Sequence, residues 1–152
     1  MSKTENLKEE LKLEIISIQK ALLVLKHSYD CCKPIGLKEN YSIEELDKWE
    51  AFTSRFSRTS DMATQKIINT IMIFEKSQSG SMKDKAAFCF KNAFVDSEDD
   101  FLNLRLTRNF IAHEYAKQDT SEVFKEVWHY YPILIKYLNY NIVLLLLQNL
   151  SE

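Results

Sequence analysis

The sequence predicts an all-α fold, an antiparallel bundle of four to five helices, and three observations carry that prediction. Only two glycines and two prolines occur in 152 residues, whereas an all-β chain needs many tight turns. Apolar residues recur at steps of three and four along much of the chain, the period of one helix face. Ser42 followed three residues later by Glu45 is a helix-start signature. Hydrophobic residues make up 45% and charged residues 28%. That balance suits one core, so residues 1–152 are read as a single domain.

The elements follow in order. The first helix is expected over Lys3 to His27, where Leu7, Leu11, Ile15, Ile18, Leu22 and Leu25 line one face. Cys31 to Asn40, with Pro34 and Gly36, reads as a loop. A second helix starts after Ser42 and runs to about Lys76, with Phe52, Phe56, Ala63, Ile67, Ile71 and Phe74 as its apolar face. Ser77 to Ser81, with Gly80, breaks it. A shorter helix spans about Met82 to Phe94. Ser97 caps the next, whose first turn carries Glu98, Asp99 and Asp100, where they suit the helix dipole. It runs to about Ala116. A last helical region starts near Thr120, and Pro132 is expected to kink or divide it.

Charge and cysteine usage narrow the function classes. A net charge of −2 argues against a broad basic nucleic-acid surface but leaves room for a few arginines that hold phosphates. Cys31, Cys32 and Cys89 show no C-x-x-C spacing, which suggests neither a disulfide framework nor a zinc site. No metal or cofactor is expected, and the cytoplasm is the expected compartment. The N-terminal MSKTENLKEE lacks the basic region and apolar run of a signal peptide. Ile142 to Leu147 lies within a longer apolar region, Pro132 to Leu150. Lys136, Asn139, Asn141 and Gln148 interrupt it, and it falls short of the roughly 18 apolar residues that a membrane span needs. It reads as a buried helix or an oligomer interface.

The telling segment is Arg108-Asn109-Phe110-Ile111-Ala112-His113-Glu114-Tyr115. Five residues on a helix separate Arg108 from His113 by about 140° and about 7.5 Å of rise, so the two do not share a ridge. Leu104, Arg108, Ile111 and Tyr115 form one stripe; Leu102, Leu106, Asn109, Phe110 and His113 form the adjacent one. Asn109 stands one turn before His113 and is placed to orient its imidazole, and Arg108 is long enough to bend toward the same cleft. A second copy of the helix facing the first would put two arginines and two histidines around one groove, so a homodimer is expected. Histidine exchanges protons near neutral pH, and arginine suits phosphate. Together they can cleave RNA without a metal. His113 takes the 2′-hydroxyl proton, the oxygen attacks the adjacent phosphorus, and Arg108 stabilises the charge that develops. The products would be a 2′,3′-cyclic phosphate and a 5′-hydroxyl.

R-N-x-x-x-H-x-Y resembles the R-x4-H-x-Y motif of HEPN-domain ribonuclease toxins of the HepT type. Ser42 to Lys66, SIEELDKWEAFTSRFSRTSDMATQK, resembles the S-R-F-x-R-x-x-D helix of a branch of that family, so the likeness spans roughly Ser42 to Ala116. The long first helix and the Cys31 to Asn40 loop have no role in the pattern, and Glu114 falls at its variable position. The resemblance implies a HEPN-like dimeric bundle and an endoribonuclease toxin of a type II or type VII-like toxin–antitoxin pair, neutralised by a minimal nucleotidyltransferase antitoxin. It also implies roles: Arg108 and His113 catalytic, Asn109 supporting, and Tyr115 the residue to which the partner transfers AMP. HEPN domains also serve as non-catalytic nucleotide-binding or adaptor subunits that dock a nucleotidyltransferase, and that alternative stays open.

Other residues carry weaker signals. Arg55 and Arg58 are candidate contacts to RNA phosphates, against a solvated face on which Arg58 meets Asp61 at i,i+3. Trp49, Trp128, Tyr130 and Tyr131 read as core or interface residues rather than base-stacking platforms. His27 and His129 lack a supporting constellation. The acidic cluster from Asp96 to Asp100 is explained by the start of a helix.

Overall fold

In the computed structural model, residues 2–77, 80–116 and 120–138 are described. Helix α1 spans Lys3–Cys32, α2 Ile43–Asp61, α3 Ile68–Phe74, α4 Met82–Lys91, α5 Glu98–Ala116 and α6 Thr120–Lys136. A π-helical turn, Met62–Ile67, joins α2 to α3 without a break. Among the described residues there is no strand, in line with the all-α prediction.

Local chemistry sets the boundaries. Ser42 and Glu45 form the expected reciprocal cap: the Glu45 amide donates to Ser42 Oγ at 3.2 Å and the Ser42 amide to Glu45 Oε1 at 2.9 Å. Ser97 caps α5, its Oγ accepting from the Asp100 amide at 3.1 Å. Ser2 with Glu5 and Ser81 with Asp84 make two further capping boxes. Helix α1 runs five residues past the expected His27, because Ser28 and Cys32 continue its buried face. It stops where Gly36, at φ +70°, turns the chain, a backbone shape that glycine adopts without a steric penalty. Helix α4 ends at Lys91, three residues short of the expected Phe94. Helix α6 is not divided at Pro132. That residue is exposed.

Side-chain pairs give the directions of the helices. Arg55 on α2 reaches Ser28 near the end of α1, and Thr70 on α3 reaches Glu14 near its beginning. The first two rods are therefore antiparallel. Arg108 and Tyr115 on α5 meet Asp61 and Thr53 respectively, so α5 also runs against α2. On α6, Phe124 stacks on Trp49 and Tyr137, just past the helix end, donates to the Ala63 carbonyl at 2.8 Å; α6 runs alongside α2. The result is an up-down-up-down bundle, with α4 packed against α3 and α5.

Helix α2 is the centre of this arrangement, touching α1, α5 and α6. Trp49, Phe52 and Phe56 are fully buried. Tyr29 from α1 stacks on Tyr131 and Trp128 from α6, with ring centroids 4.0 and 4.7 Å apart. Each such buried aromatic contributes roughly 1.5–3 kcal/mol of burial, and each ring pair about 0.5–1.5 kcal/mol more. The aromatic residues read as core thus do pack there: Trp49 and Tyr131 are buried and Trp128 and Tyr130 half-buried.

No helix among the described residues is long and apolar enough to cross a membrane. The apolar stretch Ile142 to Leu147 lies outside the described residues.

One carboxyl in the α1–α3 contact makes stability depend on pH. Burial pushes Glu14 above the usual carboxylate range; its hydrogen bond from Thr70 opposes that shift, and Glu10 one turn back adds to it. A raised folded value means that the fold prefers the protonated form. The contribution of Glu14 is complete at acidic pH and is lost as pH rises through its raised value. Glu14→Gln should therefore raise the melting temperature at mildly alkaline pH and change it little in acid, as read by thermal melts at both.

Candidate functional site

The two stripes read on α5 face different surroundings. Leu104 and Ile111 are buried and Arg108 and Tyr115 half-buried, so this stripe lies against α2. On the adjacent stripe Asn109 is exposed, Leu106 is 60% exposed and the His113 side chain is 66% exposed. The helix therefore presents the motif in two directions: Arg108 and Tyr115 inward, His113 and Asn109 outward.

Arg108 does not bend toward His113. Its Nε donates to both carboxylate oxygens of Asp61, at 3.2 and 3.3 Å. Arg105, one turn earlier, donates from Nη1 to the same carboxylate at 3.2 Å. With its amide oxygen turned toward Arg105, Gln65 of the π-helical turn accepts from Nη2 at 3.2 Å. One carboxylate at the end of α2 thus holds two guanidinium groups from α5. Binding Arg108 through Nε leaves its two terminal amino groups without a bond to any described residue, a planar fork suited to a phosphate or carboxylate.

Arg108 also lines a groove between α2 and α5, with a volume of about 370 Å³. Thr53, Ser54 and Ser57 line its α2 side, and Glu50 and Tyr115 stand at the end away from Asp61. The Ser57 hydroxyl is buried with no hydrogen-bond partner among the described residues. Burial pushes the Tyr115 phenol above its usual range; a hydrogen bond with Thr53 works against that, and the Glu50 carboxylate adds to it. His113 is not part of the groove. Its Nδ1 sits 3.5 Å from Glu114 Oε1.

The two other arginines lie elsewhere. Arg55 donates from Nη1 to Ser28 Oγ at 2.6 Å and to the Val24 carbonyl at 3.3 Å, and so ties α2 to α1. Arg58 is exposed beside Glu10 and Glu14, in a separate groove of about 360 Å³ between α1 and the π-helical turn. Asp61 takes Arg105 and Arg108 rather than Arg58. Sequence spacing did not identify Asp61 as the anchor of the motif arginine, nor Arg105 as its companion. The available signal was the aspartate that closes the S-R-F-x-R-x-x-D stretch. Among the described residues no group of three or more His, Cys, Asp or Glu side chains is placed to hold a metal ion.

Because Asp61 serves both arginines, their energies should couple. The three side chains are about a third exposed, so solvent screens each pair, and each is worth on the order of 1 kcal/mol. Asp61→Ala, which strands two cations, should destabilise more than Arg108→Ala, which leaves Arg105 in place. Urea unfolding of the single and double variants should give a coupling energy for Asp61 with Arg108 of about 0.5–1 kcal/mol.

No protein-family model, curated protein or solved structure matches this chain.

Proposed function

We propose that the protein is a metal-independent endoribonuclease toxin of the HepT type, acting as a homodimer and neutralised by a minimal nucleotidyltransferase antitoxin. The observation that carries the reading is the presentation of the R-N-x-x-x-H-x-Y motif on α5. Arg108 is held through Nε with its terminal fork open, and His113 stands on the outer face with most of its ring in solvent. An arginine anchored in this way stabilises charge on a phosphorane without reorganising. An exposed imidazole is accessible to the 2′-hydroxyl of an RNA strand.

Within one chain the two groups face different sides of α5, so a second copy supplies the second proton-transfer group, while each Arg108 holds a phosphate of the strand on the α2 side of its own helix. Leu106, Asn109, Phe110 and His113 fall at i, i+3, i+4 and i+7, one ridge of the helix. Two such ridges packed across a two-fold axis bring both His113 rings to one cleft. One His113 takes the 2′-hydroxyl proton, and the other gives a proton to the leaving 5′-oxygen. Tyr115 is the acceptor for the partner's AMP transfer: its phenolic oxygen displaces pyrophosphate from ATP, and the attached adenosine obstructs the entrance to the groove that Arg108 lines.

The same separation of Arg108 from His113 favours one second reading, a non-catalytic HEPN subunit that binds a nucleotide and docks the nucleotidyltransferase. Incubation with RNA in EDTA, followed by product-end analysis, separates the two. The toxin reading expects 2′,3′-cyclic phosphate and 5′-hydroxyl ends. His113→Ala should lower the rate by about 10²–10⁴-fold, and Arg108→Ala should lower it while the fold persists. Undiminished cleavage by both folded variants would reject the assignment, and no cleavage by the unaltered chain would leave the adaptor.

The dimer has its own test. Leu106 is a leucine with 60% of its surface in solvent. Leu106→Asp should convert a dimer to a monomer in sedimentation velocity without lowering helix content. A monomeric parent chain, or a dimer indifferent to this change, would rule out the outer ridge of α5 as the interface.

A further inference from the structure

The groove between α2 and α5 has chemically different ends. Arg108 brings a fixed positive charge to one end, with its terminal amino groups unoccupied and its Nε held by Asp61. Glu50 brings a carboxylate to the other, beside the ring of Tyr115. Seven residues separate Ser57 from Glu50 on α2, and seven separate Arg108 from Tyr115 on the antiparallel α5. Each stretch is roughly 10 Å of helix rise, comparable to the span of a purine nucleotide from phosphorus to base edge. Between the ends lie hydroxyls from Thr53, Ser54 and Ser57. Thr53 already donates to the Trp49 carbonyl at 2.9 Å. The buried Ser57 hydroxyl has no partner among the described residues, a condition that costs free energy until a polar group arrives.

We propose that this groove is a guanine-nucleotide subsite, with the phosphate on Arg108, the ribose along the α2 hydroxyls, and the Watson–Crick edge of the base on Glu50. The base follows from donor and acceptor patterns. A carboxylate only accepts, and its two oxygens bind two adjacent donors best. Guanine offers that pair, N1–H beside the N2 amino group. Adenine and cytosine each set one amino donor beside a ring acceptor, which a carboxylate repels. Uracil flanks its one N–H with two carbonyls. Tyr115 supplies a face on which a base stacks. The ligand is a guanosine phosphate, whether free or within an RNA strand. In the second case the inference rests on the ribonuclease reading and makes guanosine the nucleotide that sets the cleavage position.

The test is calorimetric titration of the full chain with GMP, AMP, CMP, UMP and guanosine, repeated with Glu50→Gln and with Arg108→Ala. Glutamine turns one acceptor into a donor, and Glu50 is exposed, so the variant keeps the fold. The expected result is that GMP binds about tenfold more tightly than the others, one good bidentate pair's worth of discrimination. Glu50→Gln should abolish that preference, and Arg108→Ala should weaken GMP while leaving guanosine unaffected. Equal binding of the four nucleotides, absence of binding, or a preference indifferent to Glu50→Gln overturns the proposal. An RNA in which inosine replaces guanosine lacks the N2 amino group and should be cut more slowly if the subsite reads the strand. GMP preference without RNA cleavage supports the subsite and removes the ribonuclease reading. Cleavage indifferent to guanosine with no GMP binding does the reverse.

Discussion

Burial of α2 on three sides is the constraint from which the rest of this structure follows. Trp49, Phe52 and Phe56 are completely enclosed, and the rings packed on Trp49 and Phe52 come from distant parts of the chain: Tyr29 on α1, and Phe124, Trp128 and Tyr131 on α6. Rings of this size interlock in few arrangements, so they fix both the direction and the axial position of α1 and α6 against α2. With those two neighbours set, α5 takes the remaining side. There the contacts are smaller and more polar: Thr53, Ser54 and Ser57 face Ile111, Ala112 and Tyr115. Short side chains on the α2 side leave space beneath Ile111 and Tyr115, and that space is the groove.

Asp61 connects this packing to chemistry. It stands at the last residue of α2, where the regular helix gives way to the π-helical turn. A carboxylate serving two guanidinium groups is a local electrostatic necessity, since Arg105 and Arg108 lie one turn apart on the same face and would otherwise repel. Its second effect is orientational. A long arginine loses side-chain freedom when it is held; here the holding group supplies that restraint, so a ligand at the open fork meets a side chain already ordered. The same carboxylate also fixes which edge of the guanidinium remains available.

How much of this was legible in the sequence depends on the range of each interaction. Ser42 with Glu45, and Ser97 with Asp100, act over three residues, and the helix starts were read correctly from them. The two adjacent stripes of α5 were readable from helix periodicity, but not which of them turns toward α2: Arg108, expected to share a cleft with His113, lies instead on the side of buried Leu104 and Ile111. The end of α1 was not readable, since Cys32 is held in the helix by packing rather than by propensity. The partner of Arg108 was not readable either. Asp61 is 47 residues away, and the nearer Arg58 looked like its natural partner on spacing alone. Arg55 likewise offered no sign that Ser28 and the Val24 carbonyl would take its donors. The HEPN resemblance named the residues of a site; only the packed helices show that two of them face a groove and two face outward.

The π-helical turn has a consequence of its own for how this chain tolerates change. A turn of this kind holds one more residue than an α-helical turn of similar height, so α2 and α3 are two regular helices joined out of phase. The buried Tyr137 hydroxyl donates to Ala63 within it and so supplies a bond to the carbonyl of a widened turn. Ahead of the turn, the phase of α2 answers to the aromatic cluster and the groove; beyond it, the phase of α3 answers to α1 and α4. Loss of a single residue between 62 and 67 would let the turn relax to ordinary α geometry and leave both faces in register. The same loss anywhere else in the rod would rotate one face away from its partners by about 100°. Length variation among chains built on this plan should therefore collect at that turn, in the middle of a helix, where loops would ordinarily be expected to absorb it.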